Sequence, residues 1–219
     1  MTTNPKSRLA RAARAGFTLI ELLAVILILG ILTAVLVTNL GDADEAARVQ
    51  QTRAQIAKLS AAINSYESDR FGDYPPSRFS DEQGVSNEGF NVGVEALVAA
   101  LWSNGYDAGG LLEDEADRLD NTDGDASSRN LTDFPSRELF ELVDAWGNPL
   151  AYFHNRDYSE TSPAYVTFDP VTGEELESVP RAAKNTTTGL YYAARSFQLV
   201  SAGPDALFGT DDDVTNLGR

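Results

Sequence analysis

From Phe17 to Leu40 the chain runs for 24 residues with a single charged side chain, Glu21. About 20 apolar residues in helical form cross the hydrocarbon core of a bilayer, so this stretch predicts a membrane-spanning helix. A carboxylate at the bilayer centre costs about 2.5 kcal/mol or more, and an acid kept there implies both a function and a partner. A secretory signal would carry an apolar core of roughly 7–15 residues with its small-residue cut site behind it. Here the run is longer, and the small pair Ala15-Gly16 stands in front of it. A plain anchor fits the length but gives Glu21 no reason to be there. Lys6, Arg8, Arg11 and Arg14 precede the run, which holds the leader in the cytoplasm and sends the rest of the chain outside. The nearest positive partner for Glu21 is the amine that a cut just before Phe17 would create.

Charge is distributed unevenly. All 33 acidic residues follow Gly16; without the first 16 residues, 13 basic residues face 33 acidic ones, and the net charge moves from −16 to −20. Such a surface repels nucleic acid and attracts cations, so nucleic acid is not an expected partner. The chain has no Cys. Ca²⁺, which needs only oxygen ligands, is then the obvious fastener for an acidic extracytoplasmic domain. His154 is the only His, so zinc sites and Cys or Ser-His nucleophilic chemistry lack their usual parts. No Lys-bearing phosphate loop is present either. The expectation is a protein that is not an enzyme, with His154 as a structural strand residue.

The segment Arg14-Ala15-Gly16-Phe17-Thr18-Leu19-Ile20-Glu21-Leu22-Leu23 resembles the prepilin leader of type IV pilins and type II secretion pseudopilins. The resemblance implies that a prepilin peptidase cuts after Gly16 on the cytoplasmic face. It also implies that Phe17 becomes the N-methylated terminus and that Glu21 is the acid used in assembly. In low dielectric that carboxylate and the Phe17 ammonium of a neighbouring subunit attract far more strongly than in water. One amine and one acid per subunit give a head-to-tail contact, which generates an open helical filament.

Beyond Gly41, the positions Val49, Thr52, Ile56, Leu59, Ile63 and Tyr66 recur at alternating three- and four-residue spacings, one narrow stripe of a helix. A single helix is predicted from about Thr18 to Ser68, stopped by Gly72 and the pair Pro75-Pro76. A second is predicted over Gly93–Asn104, with Val94, Leu97, Val98 and Leu101 on one face. Strands are predicted at Leu150–His154, Ala164–Phe168 and Ser196–Ser201, with a further short one at Tyr191-Tyr192. The fold class is therefore α+β and pilin-like: a long N-terminal helix, half transmembrane and half amphipathic, packed on a small antiparallel sheet. The expected divisions are leader 1–16, transmembrane half 17–40, amphipathic half 41–70 and globular head 71–219.

Within the head, Asp73-Tyr74-Pro75-Pro76, Gly93-Val94-Glu95-Ala96-Leu97, Asp144-Ala145-Trp146-Gly147-Asn148-Pro149 and Ser201-Ala202-Gly203-Pro204-Asp205 follow in order. Together they look like the head of the major pseudopilins of type II secretion, interrupted by an apparent insertion at 105–137. Trp146 is expected as a core aromatic. The resemblance implies a calcium site in the terminal loop, 201–216. Asp205 would be one ligand, two of Asp211, Asp212 and Asp213 would be others, and a carbonyl near Ala202 would help complete the shell. The spacing departs from the family's, and Asn216-Leu217 replaces its usual Asn-Trp, so which two Asp bind stays open. The other acidic stretch, Asp114 to Asp125, resembles part of an EF-hand loop. Counting back from Gly124, however, puts Leu119 where the first ligand belongs, so the stretch reads as solvated, with a second metal site as the alternative.

The resemblance implies a structural subunit of the type II secretion pseudopilus, with a type IV pilin of an adhesion, motility or DNA-uptake fibre as the alternative. Its expected location is the bacterial inner membrane, single-pass, with the head in the periplasm. Its expected partners are further copies of itself, the prepilin peptidase, the inner-membrane assembly platform, minor pseudopilins and membrane lipid.

Overall fold

In a computed structural model of the chain, residues 17–218 are described, except for the side chains of residues 34–42. Met1–Asp44 and Glu45–Arg219 form two compact units. Helix α1 runs Leu19–Asp69 and ends within a residue of its expected stop. Among the described residues no helix is long and apolar enough to cross a membrane. The predicted span runs on into side chains outside the described residues, as does the predicted leader, Gly16 included.

In the second unit the amphipathic part of α1 supplies one wall of the core. Thr52, Ile56, Leu59 and Ile63 are buried, with Val49 and Tyr66 packed at the margin. Each large apolar side chain sealed this way contributes roughly 1.5–3 kcal/mol. Helix α2, Val92–Leu101, is shorter than predicted and is buried nearly all round rather than on one face. Among the described residues seven short strands follow: β1 Leu119–Asp120, β2 Glu141–Leu142, β3 Ala151–His154, β4 Tyr165–Phe168, β5 Glu175–Ser178, β6 Phe197–Ser201 and β7 Val214–Thr215. They pair antiparallel as β1-β2, β3-β6-β7 and β4-β5. The arrangement is α+β, as the hydrophobic pattern implied.

Two features of the strand inventory depart from expectation. Tyr191 makes only an isolated bridge to Lys184, so no strand forms at Tyr191-Tyr192. Strand β5 was not anticipated because Glu175-Leu176-Glu177-Ser178 has little intrinsic strand preference. It forms because the turn Asp169–Gly173 delivers it beside β4: Asp169 Oδ1 accepts from the amides of Val171 (2.8 Å) and Thr172 (2.7 Å).

The turn after β2 ties the unit together. Asp144 Oδ1 accepts from the amides of Trp146 (2.9 Å) and Asn148 (3.0 Å), while its Oδ2 accepts from Ser201 Oγ at 2.6 Å. Asn148 bonds both main-chain groups of Phe168, at 2.7 and 3.2 Å. One short segment thereby fastens β2 and β3 to β4 and β6. Thr52 Oγ1 and Gln55 Nε2 of α1 bond the main chain of Ala145 and Val143 in the same segment. Trp146 is only half-buried. Its amide serves the turn, and Trp102 at the end of α2 is the tryptophan that joins the core.

The insertion is not a solvated loop. Ala108 and Leu112 belong to the main core, and Glu115, with a side chain 5% exposed, meets Lys58 Nζ of α1 at 3.2 Å.

His154 is buried at the end of β3, as expected of a structural residue. Its Nδ1 accepts from the Arg156 amide at 3.0 Å, and Nε2 lies 3.7 Å from Asp73. Burial, then the Arg156 charge, hold its pKa below 6.5 against the opposing pull of Asp157 and Asp73. The unfolded chain takes up this proton near pH 6.5 and the folded chain only at lower pH. This contribution to stability is therefore full above about 6.5 and is lost as pH falls through the window below it. Asp144, whose pKa is raised by burial, acts with the opposite sign but is common to both chains in a comparison. Between pH about 7 and about 5 the melting temperature of His154→Gln is expected to fall less than that of the parent. Parallel curves would refute this assignment.

Candidate functional site

The first site lies at the start of α1. Thr18 is the residue before the first helical turn, and Glu21 is the third residue within it. Glu21 Oε2 accepts from the Thr18 amide at 2.9 Å and from Thr18 Oγ1 at 2.8 Å, and Thr18 Oγ1 accepts from the Glu21 amide at 3.3 Å. These reciprocal bonds make a capping box, which satisfies amides that a helix start leaves without partners. The Thr-x-x-Glu signal ahead of an apolar run is readable in the sequence. Every large apolar side chain from Phe17 to Leu32 is at least 46% exposed, on all faces of the helix. Apolar surface on that scale marks an interaction site.

The second site is the loop between β6 and β7. Ser201 Oγ receives the Gly203 amide (3.1 Å), and Thr167 Oγ1 donates to the Ala206 carbonyl (2.7 Å), so the loop is tied at its start and middle. Gly203 has φ +68°, and a Cβ there would sit 2.5 Å from the Asp212 carbonyl oxygen. The two limbs of the loop touch at this point, where only glycine fits. Asp212 Oδ2 accepts from the Asp205 amide at 3.3 Å, and Asp213 Oδ2 from the Gly209 amide at 3.0 Å. Asp211 points outward and is exposed; Ala202 is buried. The Asp205 main chain and the Asp212 carboxylate therefore approach one another across the loop, while Asp205 Oδ1 accepts from the Leu207 amide at 2.8 Å. No three of the four Asp carboxylates, however, meet within 4.8 Å among the described residues.

A trio of acids that does meet this distance lies elsewhere. Oxygens of Glu95 on α2, Asp123 after β1 and Glu141 on β2 all fall within 4.8 Å of one another. Burial, reinforced by the neighbouring acids, pushes Glu95 up to about 10 and Asp125 up to about 6. Burial also takes Glu141 to about 8, against the pull of hydrogen bonds from Thr122 and Asn91. The reading of Asp114–Asp125 as solvated fails here, because Asp123 and Asp125 are half-buried against α2. The partial EF-hand pattern pointed to the Asp123 stretch, but no local signal joined it to Glu95 and Glu141. The members of this trio are 28 and 18 residues apart along the chain.

Comparison with known proteins bears on the first site and on the whole chain. Residues 11–37 match the family described as the prokaryotic N-terminal methylation motif. The chain is 27% identical over 203 residues to the type II secretion system core protein G of Escherichia coli K12, covering 93% of this chain and 90% of that one. It is 31% identical over 142 residues to the protein of the same name from Pseudomonas aeruginosa, covering 65% and 75%. It is 32% identical over 100 residues to that of Aeromonas hydrophila, covering 46% and 63%. No solved structure matches. The methylation motif, the capping box on its Glu21 and the α+β unit behind them fit together, and the chain belongs to the type II secretion system core protein G family.

Proposed function

We propose that the chain is the major pseudopilin of a type II secretion pseudopilus, a structural filament subunit that polymerises from the inner membrane and drives folded proteins through the outer membrane. Prepilin peptidase removes residues 1–16 after Gly16, and Phe17 becomes the methylated amino terminus. Residues 17–40 hold the subunit in the lipid until the assembly platform extracts it, the head stands in the periplasm, and minor pseudopilins meet the filament's tip. The observation that carries this reading is the helix start. An apolar surface exposed on every face holds one carboxylate, four residues from the amine that cleavage would free. Within a filament that surface is covered by lipid first and by other copies afterwards. Mass spectrometry of protein from its native host is expected to give a chain beginning at Phe17 and carrying one added methyl group. Residues 1–16 still attached would overturn the proposal.

Calcium in the terminal loop belongs to the same reading. The donors there are all oxygen, which suits a hard cation. Asp212 lies across the loop from Asp205, whose amide its Oδ2 accepts, which supports Asp212 as a ligand beside Asp205, with the Ala202 carbonyl near them. Asp213 Oδ2 closes the loop onto Gly209 while its Oδ1 is buried as a further oxygen donor, and Asp211 is exposed. Bound there, the ion would fasten the loop in place of a disulfide. Saturating calcium is expected to raise the melting temperature by about 5–10 °C, the equivalent of roughly 2.7 kcal/mol at a hundredfold excess over Kd. Asp205→Ala is expected to remove a large part of that rise. A rise equal to the parent's in Asp205→Ala would overturn this site.

A further inference from the structure

We infer that Glu95, Asp123 and Glu141 form a second divalent-cation site, with Asp125 at its edge, that clamps the insertion onto α2 and β2. Calcium is the ion its donors suit. Glu95 is 2% exposed, and neither of its carboxylate oxygens has a hydrogen-bond partner. Helix α2 turns this side chain inward toward Asp123 and Glu141, whose oxygens lie within 4.8 Å of its own. Glu141, fully buried, accepts from Asn91 Nδ2 (3.1 Å) and the Thr122 amide (2.8 Å). Asp125 contributes another buried oxygen, Oδ1, without a hydrogen bond. Among the described residues no Lys, Arg or His pairs with any of these acids.

The surrounding structure holds the acids in place. Asn91 caps α2 in the left-handed conformation, its Nδ2 bonding Thr122 and Glu141 and its Oδ1 receiving the Val166 amide at 3.1 Å. Asn121 Oδ1 accepts from the amides of Gly124 (2.9 Å) and Asp125 (3.1 Å), folding the turn so that Asp123 and Asp125 face α2. Three elements therefore present carboxylates to one point, where ionised acids repel one another and lose their hydration. An ion at that point offsets both effects. All the donors are oxygens, those of Glu95, Asp123 and Glu141 lying within 4.8 Å of one another, which suits a hard cation; Ca²⁺ takes about 6–8 such oxygens in flexible geometry, whereas Mg²⁺ demands a stricter octahedron and keeps several of its waters. A proton on Glu95 is the rival neutraliser.

This site is independent of the terminal loop, and the experiment separates the two. The full-length chain in detergent, carrying Asp205→Ala to disable the terminal loop, is stripped with chelator and titrated with calcium chloride by equilibrium dialysis. It is expected to bind one calcium per chain, and adding Glu95→Gln is expected to weaken that binding about tenfold or more. Glu95→Gln has the shape of the protonated acid, so in chelator its melting temperature is expected to equal or exceed that of its background. If that variant fails to fold, Asp123→Asn, which alters a half-buried turn residue, is expected to give the same loss of affinity. Failure of the background chain to bind calcium, or equal binding after Glu95→Gln or Asp123→Asn, would overturn the assignment in favour of the proton. Binding of magnesium but not calcium would overturn the choice of ion.

Discussion

A chain carrying Glu21→Ala is expected to lose its leader at the parental rate and yet fail to assemble. In the proposed filament each Glu21 faces the Phe17 ammonium of a neighbour within apolar surroundings. Removing one member of a buried ion pair costs about 3–5 kcal/mol, because the other charge is left uncompensated. At about 1.4 kcal/mol per factor of ten, subunit addition should weaken by roughly two to three and a half orders of magnitude. The capping box supplies a competing explanation, since alanine also removes the bonds to Thr18, worth about 0.5–2 kcal/mol to the helix start. Two further variants separate these effects. Glu21→Gln retains a side-chain acceptor for the cap but carries no charge, and is expected to block assembly as thoroughly as alanine. Thr18→Ala weakens the cap but keeps the charge, and is expected to assemble with only a modest defect. Filament yield from an overexpressing host, with the cleaved and uncleaved forms resolved by mass, reads out all three. Assembly by Glu21→Gln with failure of Thr18→Ala would assign Glu21 to capping alone.

Gly93→Ala is expected to destabilise the head by about 3 kcal/mol or more, at the upper end of the usual cost of overpacking. A methyl at this position would lie 2.5 Å from the Tyr152 carbonyl oxygen and 2.6 Å from the Tyr165 hydroxyl. Neither neighbour can easily retreat. Tyr152 is held in β3 by its pairing with Leu199, and the Tyr165 hydroxyl receives the Val94 amide at 3.2 Å. The expected fall in melting temperature is on the order of 10 °C. A chain melting within about 2 °C of the parent would mean that α2 does not approach β3 this closely. Because α2 also carries Glu95, the same substitution is expected to weaken calcium binding in the Asp205→Ala background.

The residues differ in how much of their role could be read along the chain. The N-terminal methylation motif is contiguous, and its meaning depends on spacing within a few residues, so sequence alone was enough to locate it. The stripe Val49-Thr52-Ile56-Leu59-Ile63-Tyr66 was equally legible, because burial of a helix face imposes its period directly on residue types. The strands at 151–154, 165–168 and 197–201 are apolar enough to announce themselves. Strand β5 is not, because its order comes from the partner and turn that hold it.

The sequence by itself determined the N-terminal methylation motif, the long helix, the α+β class and the acidic character of the terminal loop. Each of these is written in neighbouring residues or in a short period. Tertiary structure alone decided that α2 is enclosed on nearly every side, that Trp102 rather than Trp146 enters the core, and that the insertion packs instead of floating. It also decided where Glu95, Asp123 and Glu141 converge. Glu95 reads as one polar position on an otherwise apolar helix, and Asp123 as one acid among many. Only the docking of α2 against β2 and the turn after β1 sets their carboxylates beside Glu141. Contacts between distant segments leave no periodic trace in composition, because their energy depends on which surfaces meet and not on which residues adjoin.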